Sequence, residues 1–259
     1  MREKIARIGC VPYLNARPLL EGITYPVSKL VPAQLFDAFQ AGNFDAALLS
    51  SIDVLAFPYI EVADHISIAS QGDVFSVILA YTGELQKITR VALDPDSHTS
   101  NALLQIIFQE FYQLKPEYVQ FKDSKTDFSI NSTARLLIGD QAISFRNRTS
   151  LSYVKILDLG GEWLTYTELP FVFALWAIKK EFTKKKSLSQ ELRMAKKRGL
   201  KHRQAIADQT SSPEFTLRYL SEWIRYDFGE NEKKGLLKFS ELLKKHSLIP
   251  DQTNDLIFL

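Results

Sequence analysis

Between Ile5 and Ile178, short apolar runs rich in β-branched residues alternate with segments of helical period, and this alternation restricts the fold more than any other feature. A chain that returns through a helix between strands builds a largely parallel sheet with helices on its faces, which is the α/β class. KIARIGCV reads as a strand and SKLVP as a second. AQLFDAFQAGN reads as a helix with Leu35, Phe36 and Phe39 on one face and Gly42 at its end, and FDAALLS as the third strand. ISIAS and FSVILAYTG read as further strands.

The pattern then restarts. In TRVALDPDSHTSNALLQIIFQEFYQL a strand ends at Asp94, a turn follows, and a long helix carries Leu103, Ile107 and Phe111 on one face. ARLLIGDQAIS reads as a passage from helix to strand. FVFALWAI, apolar throughout, reads as a strand covered on both faces. The segments beyond it, including LSQELRMAKKRGLKHRQAIADQ and PEFTLRYLSEWIRYDFG, read as charged peripheral helices. The expected architecture is a two-lobed α/β protein. Residues 1–89 and 178–259 form a discontinuous first lobe, residues 90–177 form the second, and a ligand sits in the cleft between them.

Several classes of function are disfavoured. With 46% hydrophobic residues the chain can build a core and is not disordered. Cys10 is the only cysteine, so no internal disulfide forms, and the N-terminal apolar run is too short for a secretory signal. No run of about 18 uncharged apolar residues occurs. A cytoplasmic protein without a membrane partner is expected. The net charge of +2 argues against a general nucleic-acid surface. Residues 179–203 nevertheless hold eleven Lys and Arg against two Glu, read as a solvated helical face that balances acidic surface elsewhere. Phosphate-loop, dinucleotide, nucleophile-elbow and zinc motifs are absent, and His65, His98, His202 and His246 lack ligand spacing. Neither a metal nor a cofactor is expected.

Three polar groups lie where strands end. In VPYLNARPLL, Pro12 stops the ladder and Asn15 either caps a helix or is presented to the cleft, while Arg17 is a carboxylate partner or a surface group. In DPDSHTSNALL, Ser97, Thr99 and Ser100 precede a helix; they either cap it or, with the free N–H groups, hold an anion. Ser76 interrupts an apolar strand, and Ser50 and Ser51 fall at a strand end.

Taken in order, IGCVPYLNARPLL, FDAALLSSIDVL, FSVILAY, VALDPDSHTSNALL, LLIGDQAI and DLGGEWLTYTELPFVFALWAI resemble the chorismate dehydratase of the futalosine route to menaquinone, the MqnA family. The resemblance implies a type II periplasmic-binding-protein fold and a lyase that converts chorismate to 3-[(1-carboxyvinyl)oxy]benzoate and water, with no metal or cofactor. It implies that Asn15 and Ser76 are the two active-site polar residues, and that Thr99 and Ser100 grip a substrate carboxylate. Where relatives often carry Arg, this chain has His98, and SFRNRTS brings two arginines that the family pattern lacks. The competing expectation is a non-catalytic small-anion solute-binding protein of the same fold.

Overall fold

The computed structural model describes residues 5–120, 134–148, 153–251 and 256–259. Their strands, in chain order, are β1 (Ile8–Cys10), β2 (Val27–Lys29), β3 (Ala46–Ser50), β4 (Ile60–Ser70), β5 (Val77–Thr82), β6 (Arg90–Leu93), β7 (Glu117–Gln120), β8 (Ala134–Ile138), β9 (Val154–Asp158) and β10 (Phe171–Lys179). They form two five-stranded sheets, of order β2-β1-β3-β10-β4 and β7-β6-β8-β5-β9. Within the first sheet β1 runs parallel to β2 and β3, with Ile8 opposite both Val27 and Ala46. β10 is inserted antiparallel between β3 and β4. The second sheet repeats the plan: β6 is parallel to β7 and β8, and β5 is antiparallel to β8 and β9. Each sheet thus holds one reversed strand, and that strand is the one by which the chain arrives from the other lobe.

Because β5 belongs to the second sheet and β10 wholly to the first, sheet membership changes within residues 71–76 and 159–170. Both changes come earlier than the divisions at 89/90 and 177/178 read from the sequence. An apolar run such as FSVILAYTG specifies a buried strand but not which of two sheets it joins, since its partners lie far downstream. ARLLIGDQAIS is likewise strand first and helix second, the reverse of the expected order. Lys4, which opens KIARIGCV, and Thr149 and Ser150 of SFRNRTS lie outside the described residues.

The helices are α1 (Pro32–Gln40), α2 (Ser51–Ala56), α3 (His98–Ile106), α4 (Gly139–Arg148), α5 (Leu159–Thr167), α6 (Lys185–Lys201), α7 (Arg203–Asp208), α8 (Pro213–Arg218) and α9 (Glu230–Lys245). α1 buries Leu35 and Phe39, as its period predicts. β10 carries the centre of the first lobe: Leu175, Trp176 and Ile178 are inaccessible to solvent, and Phe171 packs edge-on against Trp163 and Phe239. Cys10 is free and buried, and burial pushes its thiol up to about 12. No helix among the described residues is long and apolar enough to cross a membrane.

One carboxylate ties the two crossovers together. Asp158 accepts hydrogen bonds from the backbone N–H groups of Val74 (2.9 Å) and Phe75 (2.8 Å) on the outward crossover. It also accepts from Gly160 (3.1 Å) and Gly161 (3.3 Å), where α5 begins the return. Arg146 of SFRNRTS completes the knot, donating to Asp158 at 3.1 Å and lying 4.2 Å over the Phe75 ring. The basic stretch is also structural in large part. Lys185 pairs with Glu61 and Lys196 with Asp227, both at 2.6 Å. Arg193 donates to the Leu259 carbonyl, and Arg198 to the Glu21 and Gly22 carbonyls.

Candidate active site between the lobes

The carboxyl ends of the parallel strands of both sheets point into one interlobe cavity of about 620 Å³, its open mouth included. From the first lobe it is lined by Val11 and Asn15 after β1, Ser50 at the end of β3, Ile68 on β4, and Phe173 and Ala174 on β10. From the second come Ser76 and Val77 at the start of β5, Ser97, Thr99 and Ser100 around the start of α3, and Ile138 and Gly139 at the junction of β8 and α4. Open α/β sheets bind ligands at this end because strand-to-helix turns leave unpaired N–H groups there. Three helices, α2, α3 and α4, begin directly after strands or turns that line the cavity, so their positive dipole ends lie against it.

Residues 14–20 form a 3-10 turn, Leu14–Leu20, in which Ala16, Pro18 and Leu19 are buried and Arg17 points outward. Asn15 is therefore not a helix cap; it lines the cavity, and its Oδ1 is buried without a hydrogen-bond partner among the described residues. The turn is seated from the other lobe as well. Leu14 N–H donates to Asp140 Oδ1 at 3.2 Å, and the Tyr13 ring packs on Gly139. Gly139 has φ of +54°, a conformation that favours glycine, and a Cβ there would sit 3.0 Å from that ring, so any side chain would press the ring outward by a few tenths of an ångström.

Ser76 is 1% exposed. Its Oγ accepts from the Tyr219 hydroxyl at 2.8 Å, and among the described residues its one acceptor is the Val74 carbonyl at a long 3.5 Å. Phe75, just before it, has φ of +67°, a left-handed conformation that an aromatic residue adopts only when its surroundings impose it. The two N–H bonds to Asp158, the rings of Phe215 and Trp223, and the Arg146 guanidinium supply that constraint. The strain orients the following serine toward the cavity.

In the second lobe Ser97 Oγ caps α3, accepting from Ser100 N–H at 3.3 Å. Thr99 Oγ1 accepts from Ile52 N–H at 3.1 Å, bridging the starts of α3 and α2 across the lobes. Ser50 Oγ donates to Asp53 Oδ2 at 2.6 Å, while Asp53 Oδ1 lies 2.8 Å from His98 Nδ1. His98 thus spans the lobes instead of lining the cavity, and its hydrogen bond to Asp53 raises its pKa.

Six of the seven site residues expected from the sequence, Asn15, Ser50, Ser76, Ser97, Thr99 and Ser100, meet in this cavity. Ser51 does not. It is fully buried, and its hydroxyl donates to the Val172 carbonyl at 2.6 Å, which joins α2 to β10. A serine pair at a strand end points to opposite sides, so only one of the two can face the cleft. Tyr219, Tyr226 and Asp53 were not anticipated. The aromatic spacing of RYLSEWIRYDFG, inconsistent with a purely peripheral helix, was the available signal for the two tyrosines. No charged side chain lines the cavity among the described residues, so an anion there is held by hydroxyls, N–H groups and helix ends. Among the described residues no group of three or more His, Cys, Asp or Glu is placed to hold a metal ion.

Comparison with known proteins places the chain in context. A family model described as menaquinone biosynthesis matches residues 6–245. The chain is 32% identical over 260 aligned residues to the chorismate dehydratase of Thermus thermophilus, covering 91% of this chain and 94% of that protein. It is 27% identical to the chorismate dehydratase of Campylobacter jejuni, covering 95% and 98%. Among solved structures it superposes on a protein of Archaeoglobus fulgidus with a TM-score of 0.74 at 16% identity, covering 96% of this chain and all of that one. The periplasmic aliphatic sulphonate binding protein SsuA of Escherichia coli matches with a TM-score of 0.66 at 15% identity, covering 96% and 94%. These structural matches show a periplasmic-binding-protein-like fold.

Proposed function

The chain belongs to the menaquinone biosynthesis family, and from that premise we propose that its interlobe cavity dehydrates chorismate to 3-[(1-carboxyvinyl)oxy]benzoate, a carbon–oxygen lyase reaction on the futalosine route. The observation that carries the reading is the Oδ1 of Asn15, buried with no hydrogen-bond partner among the described residues, on a side chain that lines a cavity whose other wall presents Ser76 and the start of α3. A buried acceptor without a partner is costly in the free protein and is satisfied when a ligand donor arrives.

The reaction asks little of the protein beyond positioning. The C3–H bond breaks, its electron pair becomes the last ring double bond, and the C4–O bond breaks; the departing oxygen leaves as water after taking up the proton removed at C3. Aromatisation drives the step, so catalysis consists of holding two carboxylates and aligning the leaving hydroxyl. The N-termini of α3 and α4, with Thr99 and Ser100, hold carboxylate. Asn15 orients the ring substituents, and Ser76 addresses the leaving oxygen.

No carboxylate, lysine or histidine lines the cavity among the described residues, and burial raises the Tyr13 phenol. The proton at C3 therefore passes to a carboxylate of the substrate itself, the base that the cavity's own lining does not offer. We assign the reaction to the cytoplasm. The test is incubation of the purified protein with chorismate followed by product analysis. Formation of the enolpyruvyl benzoate is the expected result; binding without turnover would instead support a solute-binding role, which the fold equally permits.

A further inference from the structure

Tyr219 belongs to RYLSEWIRYDFG, whose helices the sequence pattern puts at the periphery, yet its side chain is buried beside the two residues proposed to act on substrate. Its hydroxyl donates to Ser76 Oγ at 2.8 Å, and the Asn15 side chain, which lines the same cavity as Ser76, favours the charged phenol against the larger opposing effect of burial. At this point α8 widens into a π-turn, Tyr219–Trp223. Widened turns of this kind re-aim side chains and recur at functional sites. Phe215 stacks on the Tyr219 ring with an interplanar angle of 9°, and Phe215 and Trp223 both pack on Phe75, the residue before Ser76. Tyr226, a little further along, donates to the main-chain carbonyl of Asn15 at 2.9 Å.

The donor inventory dictates which way each hydrogen points. A buried phenol keeps its proton, since burial disfavours the phenolate, so its one hydrogen goes to Ser76. Ser76 then accepts from Tyr219, and among the described residues the hydrogen it owns has only a long contact to the Val74 carbonyl. That hydrogen is left for the cavity. Asn15 lines the same cavity, and its Oδ1 is buried with no hydrogen-bond partner among the described residues.

From this geometry we propose that Tyr219 is a positioning residue that fixes Ser76 as a hydrogen-bond donor toward one substrate hydroxyl, beside the buried Oδ1 acceptor of Asn15. The ligand chemistry that matches is a secondary alcohol, which donates one hydrogen bond and accepts another as its C–O bond breaks. Ser76 lends a hydrogen bond to the departing oxygen and keeps its proton; the second hydrogen of the water comes from the carbon that loses one. The inference rests on the chorismate reading, in which the C4 hydroxyl is that group.

Steady-state kinetics on chorismate with Tyr219→Phe tests it. The variant is expected to lose about tenfold in kcat with KM changed by less than about threefold, because the interaction matters most as the oxygen departs. Adding Tyr219→Phe to Ser76→Ala is expected to cause no further loss, since the phenol acts through the serine. Placing 3-fluorotyrosine at 219 keeps the donor on a ring of nearly the same size and should hold kcat within about threefold of wild type, which separates donor loss from packing if the Phe variant folds poorly. A Tyr219→Phe enzyme with unchanged kcat, a loss that multiplies with that of Ser76→Ala, or a fluorotyrosine enzyme as impaired as the Phe variant would each overturn the proposal. A wild-type protein that converts no chorismate would refute the chorismate reading and the inference with it; a normal wild type with an indifferent Tyr219→Phe refutes the inference alone.

Discussion

Gly199→Ala asks whether α6 seats the turn that presents Asn15. Gly199 lies where α6 crosses the Leu14–Leu20 turn, and a Cβ at that position would fall 1.9 Å from the Pro18 carbonyl oxygen and 2.5 Å from its carbon. Inside a helix, replacing Gly by Ala ordinarily stabilises by about 1 kcal/mol. Here the neighbour is backbone and cannot rotate away, so helix and turn must separate by about 1 Å, an overpacking cost of about 1–3 kcal/mol. Arg198, whose guanidinium holds the Glu21 and Gly22 carbonyls at 3.0 Å, opposes that separation. The net effect is destabilisation of up to about 2 kcal/mol, a fall in Tm of a few degrees for a chain of this length. Activity should suffer more. Pro18 is on the same short turn as Asn15, and a displacement of about 1 Å at a reacting group costs as much as ~100-fold. Thermal melting and chorismate turnover on the same preparation measure both effects, with a kcat/KM loss of about 10- to 100-fold expected. A variant with raised Tm and wild-type turnover would show that contact with α6 does not position the turn.

Two further substitutions separate structural from functional polar groups. Ser51→Ala removes the donor to the Val172 carbonyl and should cost about 1 kcal/mol in chemical denaturation while leaving kcat unchanged; a large loss of kcat would return Ser51 to the cleft. His98→Gln tests the interlobe pair. Asp53 raises the pKa of His98 above its ordinary 6.5, with Asp37 adding a weaker attraction and the Phe36 ring packed edge-on. A raised folded-state pKa means that the pair's contribution is complete below pH 6.5 and is lost as pH rises through the higher folded value. Wild-type Tm should therefore fall across that window relative to His98→Gln, as thermal melts at a series of pH values would show; parallel profiles would remove His98 from any role in joining the lobes.

Local physics carried much of this architecture. The α1 stripe of Leu35 and Phe39 and the continuous apolar β10 follow from a few neighbouring residues and stand where their patterns put them, while the pattern leaves the cap of α3 open among Ser97, Thr99 and Ser100, of which Ser97 takes it. Long-range choices did not show in the sequence. Which sheet β5 joins depends on β8 and β9, and which of Ser50 and Ser51 faces the cavity depends on how α2 leaves β3. Asn15 and Ser76 stood out as polar residues at strand ends, but Tyr219 and Asp53 could not be tied to them, because those contacts span 143 residues in one case and two lobes in the other. Ser76 owes its orientation to Phe75, whose left-handed backbone no local pattern announces.

The central claim is that Asn15 and Ser76, brought together from two lobes, act on the leaving hydroxyl of chorismate. Conversion of chorismate by wild type, Asn15→Ala and Ser76→Ala, followed by the ultraviolet absorbance of the aromatic product and its mass, tests this most directly. Wild type is expected to form 3-[(1-carboxyvinyl)oxy]benzoate and each variant to lose about 100-fold in kcat/KM, as for removal of one preorganised polar contact to a departing oxygen. Near-normal turnover by either variant would contradict it.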